Sequence, residues 1–244
     1  MRKRFITGLT ALTLVFSSQA QSWFDLGIKA AWGPNFIYNQ TVLDDINYNN
    51  VLDYGYSFGG KLGYNFNETH QVTVDIMSSY FNASFVHNKP SFNGNGDAQF
   101  DSRIRLNTLD MMLLYRSNNN GGYFEIGPKY IMLQKATFSD NYYDLKDADI
   151  KSRMNGGLFG LVVGFGGYFM GTENFGITLG GRFSYAISDL VNNTGQNEYF
   201  PTFNPEREYK GNHPFTAMLV MEFNYDLGYL AGPKCGKRKK LILF

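Results

Sequence analysis

Large apolar residues alternate with small or polar residues along most of this chain. In the stretch FGITLGGRFSYAI, residues 175–187, the odd positions are large and apolar apart from Gly181. The even positions are small or polar and include Arg182 in the middle of the run. Strict period-2 alternation predicts a β-strand with two chemically different faces.

The same alternation predicts eight strands, and the links between consecutive strands are alternately long and short. The predicted strands are residues 23–32, 55–66, 71–81, 103–116, 122–136, 156–170, 175–187 and 214–229. Short links follow the second, fourth and sixth strands, whereas the long polar links are roughly 33–54, 82–102, 137–155 and 188–213. Outer-membrane barrels have an even number of strands, short periplasmic turns and long extracellular loops. A soluble sandwich or a lipocalin has no need of such a regular exchange of link lengths.

The sizes of the side chains decide which face points outward. Alternation alone also fits a lipocalin, whose apolar face points inward, but an eight-stranded barrel is only just wide enough for its side chains to fill it. Here one face carries Phe, Tyr, Leu, Ile and Val, too bulky a set for that interior, and the other face is rich in glycine, alanine and serine. The fold class predicted is therefore all-β, an eight-stranded antiparallel up-and-down transmembrane β-barrel with its apolar face in lipid.

Charged residues occupy positions whose side chains are predicted to point into the barrel, and they indicate a filled interior. Buried charges must be paired and hydrogen-bonded, or they cost several kcal/mol each. We therefore predict a charge network that plugs the lumen, with Arg182 and Glu222 as a pair on adjacent strands and Lys29 close to the strand that carries Glu222. Five acids and four bases make up the predicted network: Asp25, Lys29, Lys61, Asp75, Asp110, Glu125, Lys129, Arg182 and Glu222.

The fourth predicted strand departs from this scheme. Arg103 and Arg105 share the outward parity of Leu109 and Met111. Either a β-bulge near Asn107 resets the alternation, or the strand rises past the membrane and its arginines meet lipid phosphates. The sequence leaves both alternatives open.

The chain ends suggest export and an extension beyond the barrel. Residues 1–20 combine a basic start, a short apolar run and a small-residue site at Ala20, and these features are typical of a cleaved signal peptide. The domains predicted are this signal peptide, a barrel over 21–229 and a basic periplasmic tail over 230–244. No later segment has the long apolar run of a membrane-spanning helix.

Composition excludes some classes of protein. The 244 residues hold 22 Lys+Arg against 21 Asp+Glu, so no electrostatic argument favours a nucleic-acid partner. The single cysteine, Cys235, excludes an internal disulfide framework. Aromatic residues make up 17% of the chain, together with 27 glycines, and this pairing favours all-β structure with many turns.

The fourth and fifth strands, TLDMMLLYRSNNNGGYFEIGPKYIMLQKA, carry a family resemblance. Leu109-Asp110, the apolar run to Arg116 and Gly127-Pro128 resemble a pattern in the PorT-like outer-membrane β-barrel family. Asp110 stands where the family has Glu, and Met111-Met112 stand where Ile-Pro is usual. The resemblance implies an integral outer-membrane protein, and some members of that family act in protein secretion across the outer membrane.

Candidate chemical sites are weak. His87 with Ser91, and His213 with Asp189, lack the spacing that would hold a base beside a nucleophile. We therefore predict a protein that is not an enzyme and that has no catalytic, cofactor or metal site. The acidic loop residues lack calcium-loop spacing, so a solvated loop is the expected role for them; they are Asp44, Asp45, Asp140, Asp144, Asp147 and Asp149.

Surface contacts are the remaining prediction. Exposed aromatic side chains favour contacts with partners, and a basic tail suits anionic lipid or another protein, although a merely solvated tail is the alternative. The expected partners are outer-membrane lipid or lipopolysaccharide and other envelope or secretion proteins, whereas the alternative function is a small passive channel. The candidate contact residues are Tyr142, Tyr143, Tyr199 and Phe200 in the loops and Lys237, Arg238, Lys239 and Lys240 in the tail.

Overall fold

The computed structural model describes residues 22–45, 47–90, 97–172, 174–203 and 208–229. The predicted signal peptide and the basic tail, with Lys237, Arg238, Lys239 and Lys240, lie outside the described residues. Their assignments therefore stay predictions.

Ten strands are present in the described part of the chain, eight of them long. The two short strands, β2 (Tyr48–Val51) and β7 (Leu145–Asp149), belong to the long links. The long strands are β1 (Trp23–Asn39), β3 (Asp53–Asn65), β4 (His70–Pro90), β5 (Asp97–Asn119), β6 (Gly122–Asp140), β8 (Gly157–Gly171), β9 (Phe175–Ala186) and β10 (Asn212–Tyr229).

In the described part of the chain, helical structure is confined to the long links. The helices are Gln40–Leu43 and Asn193–Asn197, and Lys151–Arg153 forms a 3₁₀ turn. Among the residues that the structure covers, no helix has the length and apolar character needed to span a bilayer.

The eight long strands close into an antiparallel barrel. Each pairs with the next long strand in the chain, and β10 closes the ring against β1, where Lys29 lies opposite Glu222. Strand β2 pairs with β4, and β7 pairs with β6, so both stand outside the ring. The predicted eight-stranded up-and-down barrel is confirmed.

The two ends of the barrel differ in their connections. At the turn end the links are tight, and Asn120 and Gly121 join β5 to β6 with φ of 47° and 84°. Two successive positive φ values are the geometry of a type I′ hairpin turn, which Asn-Gly favours. The opposite end, the loop end, carries β2, β7 and all the helical segments.

The strands reach further at the loop end than the sequence predicts. Residues 82–102 were expected to form a long polar link, yet β4 continues to Pro90 and β5 begins at Asp97. This expectation was wrong because the outward face turns polar above the membrane and the apolar residues lie on the inward face instead, where Phe81, Phe85 and Ile104 are buried, while the backbone pairing continues. The hairpin therefore stands above the bilayer and pairs with β2 and β6.

The outside of the barrel is an apolar band bounded by aromatic rings. Ile28 is 66% exposed and Leu219 is 70% exposed. Toward the loop end Trp32 stacks on Tyr54 with ring centroids 5.1 Å apart, and toward the turn end Phe24 lies 5.1 Å from Tyr64. An apolar belt with aromatic girdles is the surface of a membrane-spanning barrel.

The question raised by Arg103 and Arg105 is settled by the register of β5 and β6. Alternation continues unbroken along β5, so both arginines point outward beyond the apolar band. A bulge does occur opposite Asn107, but it lies on β6, where Lys135 pairs with Asn107 and Leu133 pairs with Thr108. Because of the extra residue, Gln134, the inward-facing positions of β6 change from odd to even residue numbers, whereas those of β5 stay even throughout.

A charge placed in the apolar band should destabilise the barrel in proportion to its depth. Ile76→Lys, at the middle of the lipid-facing part of β4, should lower the free energy of unfolding by roughly 2–4 kcal/mol, because an ammonium group near the bilayer midplane loses its hydration. Unfolding in denaturant from lipid vesicles measures the change.

The matched control is Asn107→Lys, on the same outer surface but at the edge of the band. Its expected cost is about 0–1 kcal/mol. Equal costs at the two positions would contradict the assignment of the band.

Candidate functional site

The interior of the barrel is filled by two layers of different chemistry. Toward the turn end lies a set of buried charges, here named the lumen charge network. Toward the loop end lies a buried hydrophobic cluster, here named the apolar cap. The network comprises Asp25, Lys29, Lys61, Asp75, Asp110, Arg116, Glu125, Lys129, Arg182 and Glu222.

Glu222 is the centre of the lumen charge network. Its carboxylate lies 3.0 Å from Lys29 Nζ and 2.7 Å from Lys61 Nζ. Arg116 also donates to both carboxylate oxygens, from Nη1 at 2.9 Å and from Nη2 at 2.7 Å. All four side chains are buried. Three cations therefore share one carboxylate away from water.

A second group of contacts links the two arginines to the remaining carboxylates. Arg182 Nη2 lies 3.0 Å from Asp75 and 2.6 Å from Glu125, while Arg116 Nη2 lies 2.8 Å from Glu125. Lys29 donates to Asp75 at 2.6 Å. Charge-assisted bonds of this length are the strong ones, and bidentate arginines fix their partners' orientation.

Smaller pairs complete the network at its two edges. Lys61 lies 3.2 Å from Asp25, which also accepts from a glutamine amide. Lys129 lies 2.9 Å from Asp110, whose carboxylate accepts further bonds from Ser79 and Thr108. These hydroxyl donors satisfy oxygens that the lysine alone would leave unpaired.

Glycines make room for the carboxylates. A Cβ on Gly63 would lie 1.8 Å from Asp25 Oδ1, and one on Gly164 would lie 2.8 Å from Glu125 Oε1. Any larger residue would collide with the acids. Gly63 and Gly164 therefore leave space for ionised side chains, whereas a Cβ on Gly127 would collide with the backbone of the neighbouring strand.

All nine charged residues assigned to the lumen from the sequence lie in this network, but one predicted contact is wrong. Arg182 and Glu222 do not pair. The β9–β10 register places Arg182 opposite Met218 and Glu222 opposite Thr178, so the two lie at different levels of the barrel. Register depends on turn geometry and packing, which parity along one strand does not reveal.

Arg116 is the residue that sequence reasoning missed. It was interpreted as the end of the apolar run of β5, yet its parity is that of Asp110, and this signal could have placed it inside. With Arg116 the network holds five bases and five acids. The interior is therefore balanced in charge.

The apolar cap closes the loop end of the lumen. Side chains from the long links, including Val42, Ile150 and Leu190, pack against the upper wall of the barrel, including Phe138. Phe200 belongs to the same cluster and is only 1% exposed, with its ring 5.4 Å from that of Phe138. Its assignment as a partner contact was wrong, because the Phe200 side chain points into this cluster and is buried.

The other predicted contact residues in the loops are more accessible. Tyr142 and Tyr199 are half-buried, whereas Tyr143 is 47% exposed. Lys89 Nζ lies 3.1 Å from the Tyr143 hydroxyl and about 5 Å from the ring centroids of Tyr142 and Tyr143. An ordered, aromatic and cationic surface thus stands at the loop end.

Hydrogen bonds hold the loops over the lumen. Asp189 accepts from the backbone N–H groups of Val191 and Asn212 and from the Tyr209 hydroxyl. Burial, together with the bond to Asp189, raises the pKa of Tyr209. His213 has a different partner, since its Nδ1 lies 3.1 Å from the carbonyl oxygen of Ala186. The pairing weighed from the sequence is therefore absent among the described residues.

Asp140 anchors a second loop above the membrane. It is buried and takes bonds from Ser102 at 2.7 Å and from the backbone N–H groups of Tyr142 and Tyr143. His87 Nε2 lies 3.2 Å from the same carboxylate. Burial opposes ionisation of Asp140, but these hydrogen bonds outweigh burial and lower its pKa to about 2.

Other acidic loop residues are dispersed. Asp147 pairs with Arg105, and Asp144 lies 3.7 Å from Lys146. Within the described ranges no group of three or more His, Cys, Asp or Glu side chains is placed to hold a metal ion.

A cavity separates the lumen charge network from the apolar cap. The volume that the centres of water molecules can occupy in it is about 50 Å³. Asp110, Lys129 and Arg182 line it on the side of the network, and Leu106, Leu158 and Leu190 belong to its apolar side.

The chain matches a known family and, loosely, several solved barrels. The sequence model described as "Outer membrane protein beta-barrel domain" matches residues 18–192, more than half of the chain. A search of the curated proteins gave no match.

Three solved structures illustrate the structural similarity. Neisserial surface protein A is 15% identical, with 83% of this chain and 96% of that chain covered and a TM-score of 0.41. OprG from Pseudomonas aeruginosa is 15% identical, with 87% and 98% covered and a TM-score of 0.42. Ail of Yersinia pestis, in complex with the heparin analogue sucrose octasulfate, is 14% identical, with 83% and 99% covered and a TM-score of 0.36.

Removing the central carboxylate should weaken the barrel strongly. Glu222→Gln leaves three buried cations without their shared anion, and breaking a buried ion pair costs roughly 3–5 kcal/mol. We expect a matching fall in the free energy of unfolding in detergent micelles, together with loss of heat resistance in gel migration.

The matched control is Glu198→Gln, which breaks a half-exposed ion pair with Arg153 on the surface. Surface pairs contribute about 0–1 kcal/mol, so this variant should unfold almost like the parent. A Glu222→Gln barrel as stable as the control would contradict the central role of Glu222.

Acid should selectively loosen the loop that Asp140 anchors. Because the folded pKa of Asp140 is depressed to about 2, its ionised form adds stability above the ordinary carboxyl pKa. That stability is lost as the pH falls from about 4 towards 2. Unfolding curves of the parent and Asp140→Asn should therefore differ at neutral pH and converge in this acidic range. Asp144→Asn, an exposed neighbour, should follow the parent throughout, and a constant gap between parent and Asp140→Asn would refute the assignment.

Proposed function

Because this chain belongs to the outer-membrane β-barrel family whose sequence model it matches, we propose that it is a non-conducting, non-catalytic barrel that presents its folded loops to other envelope proteins. Its place is the outer membrane. The observation that carries the proposal is the filling of the lumen at two levels.

The two layers oppose the passage of ions for different physical reasons. The charges of the network are committed to one another over short distances, with Glu222 and Asp75 bound by cations on several sides. An ion entering this layer would have to replace contacts that are themselves charge-assisted. The apolar cap above it offers no hydration to an ion at all. Together they argue against a permanent aqueous path.

The surface at the loop end supports an interaction role. β4 and β5 extend well beyond the apolar band, and the Lys89, Tyr142 and Tyr143 surface lies on this extension and the neighbouring loop. Lys89 donates to the Tyr143 hydroxyl, and the backbone N–H groups of Tyr142 and Tyr143 donate to Asp140, so a partner would meet a partly ordered surface and less conformational entropy would be lost on binding. Tyrosine and cationic side chains are enriched in such contacts.

The finer part of the proposal concerns protein secretion. It rests on the resemblance of the Leu109–Arg116 and Gly127-Pro128 stretches to the PorT-like family, whose members include secretion proteins. The basic tail would then lie in the periplasm, within reach of an apparatus on that side of the membrane.

A small passive channel is the second candidate, and the cavity favours it. Space between the two layers already exists. Conduction would require the cap to lift and the network to rearrange together, since either layer alone closes the lumen.

Single-channel recording separates the two functions. Purified protein in planar bilayers should pass almost no current, because charge pairs and the cap fill the lumen. Leu190→Ala with Phe200→Ala, which thins only the cap, should also stay closed, since the network remains. Steady conductance of the parent would favour the channel and overturn the proposal.

Crosslinking in intact cells tests the interaction. A photoreactive residue at Tyr143 should capture envelope proteins at the loop end, and one at Lys239 should capture periplasmic or membrane partners. The control is the same residue at Ile28, which faces lipid. Identical capture patterns at all three positions would indicate chance encounters and argue against a specific partner.

A further inference from the structure

The cavity between the two lumen layers has an amphipathic lining. The side toward the network carries Asp110, Lys129 and Ser184, and the opposite side carries leucines of the apolar cap and the barrel wall. At 50 Å³ for water centres it has room for about three to five water molecules, or one small organic molecule.

Two cationic side chains at this cavity have N–H groups that are not bonded to a strong hydrogen-bond acceptor. Arg182 directs Nε and Nη2 to carboxylates, but its Nη1 donates only to the thioether of Met112, at 3.7 Å. Lys129 has three N–H groups and contacts Asp110 at 2.9 Å and the Ser184 hydroxyl at a longer 3.3 Å. A thioether is a weak acceptor, so an oxygen in the cavity would improve the bonding of Arg182.

The charge balance of the network selects the kind of oxygen. Its bases and acids already match in number, so a further anion would enter without a counterion, and a buried unpaired charge is costly. A neutral carbonyl or ether oxygen can accept from Arg182 or Lys129 without that cost. The leucine side of the cavity suits a short hydrocarbon part.

We propose that this cavity is a binding site for a small neutral organic molecule that has one oxygen acceptor and a short apolar part. The oxygen would accept from Arg182 Nη1, and the hydrocarbon would contact Leu158 and Leu190. The site goes beyond the interaction role proposed above and does not depend on it.

Methionine methyl groups allow a direct test with propanone as the probe. Met112 and Met218 line the cavity, whereas Met111 and Met221 lie on the lipid-facing side of the same two strands. In full-length protein labelled with ¹³C-methyl methionine, reconstituted in lipid nanodiscs, propanone should shift the Met112 and Met218 signals along a saturating curve. Met111 and Met221 should shift little and without saturation.

Two further arms make the result decisive. Xenon, which has no hydrogen-bond acceptor, should shift the same signals more weakly than propanone at the same concentration in solution. Ala31→Leu projects a larger side chain into the cavity and should abolish the saturating shift, whereas Ala30→Leu on the lipid side should preserve it. If Ala31→Leu fails to fold, Ser57→Val tests the same crowding from β3 and should weaken the shift.

Three results would overturn the proposal. The first is equal, non-saturating shifts at all four methionines, which show partitioning into lipid only. The second is saturation by xenon but not by propanone, which shows a void without acceptor preference. The third is a saturating shift that survives both Ala31→Leu and Ser57→Val, which shows binding elsewhere.

Discussion

Neutralisation of charge inside a narrow barrel is the constraint on which this structure depends. A cylinder of eight strands has no room for a hydrated channel once its interior carries side chains, so every ionised group must find its counterion among its neighbours. Glu222 meets this demand by accepting from Lys29, Lys61 and Arg116 at once. Two glycines of the inward face follow from the same demand, since Asp25 occupies the space where a side chain at Gly63 would lie, and Glu125 does the same at Gly164. The charges thus explain these two glycines, and the glycines permit the charges.

The loop end solves a different problem with different chemistry. There the interior is apolar, and segments that connect the strands fold down to cover it, with Phe200 inside and Asp189 tying the backbone in place. The long links are therefore part of the packed core. The exposed surface at this end includes the outer side of the extended β4–β5 pair and its neighbours, which is why an interaction role fits the structure better than passage through it.

The sequence predicts the strand count, the closed ring and the direction of both faces, because period-2 alternation and side-chain volume are properties of each strand alone. It also places nine of the ten network residues inside. It fails where two strands must be compared: the supposed pairing of Arg182 with Glu222 depends on register, which no single strand reveals. It fails again at Arg116, taken as the end of an apolar run although its parity matched that of Asp110. Phe200 was misjudged because all of a polar link was assumed to be solvated. The strands were predicted too short because the apolar residues change from the outward to the inward face at the membrane surface while pairing continues.

Glu222 lies on the last strand of the barrel, whereas Lys29, Lys61 and Arg116 come from β1, β3 and β5. A sheet that still lacks its final strand would hold five bases of the network against four acids, with Lys29, Lys61 and Arg116 each short of one carboxylate partner. Pairing of the first and last strands therefore completes the hydrogen-bonded ring and the charge balance in the same step. Closure of the ring is thereby coupled to contacts that involve half of the strands.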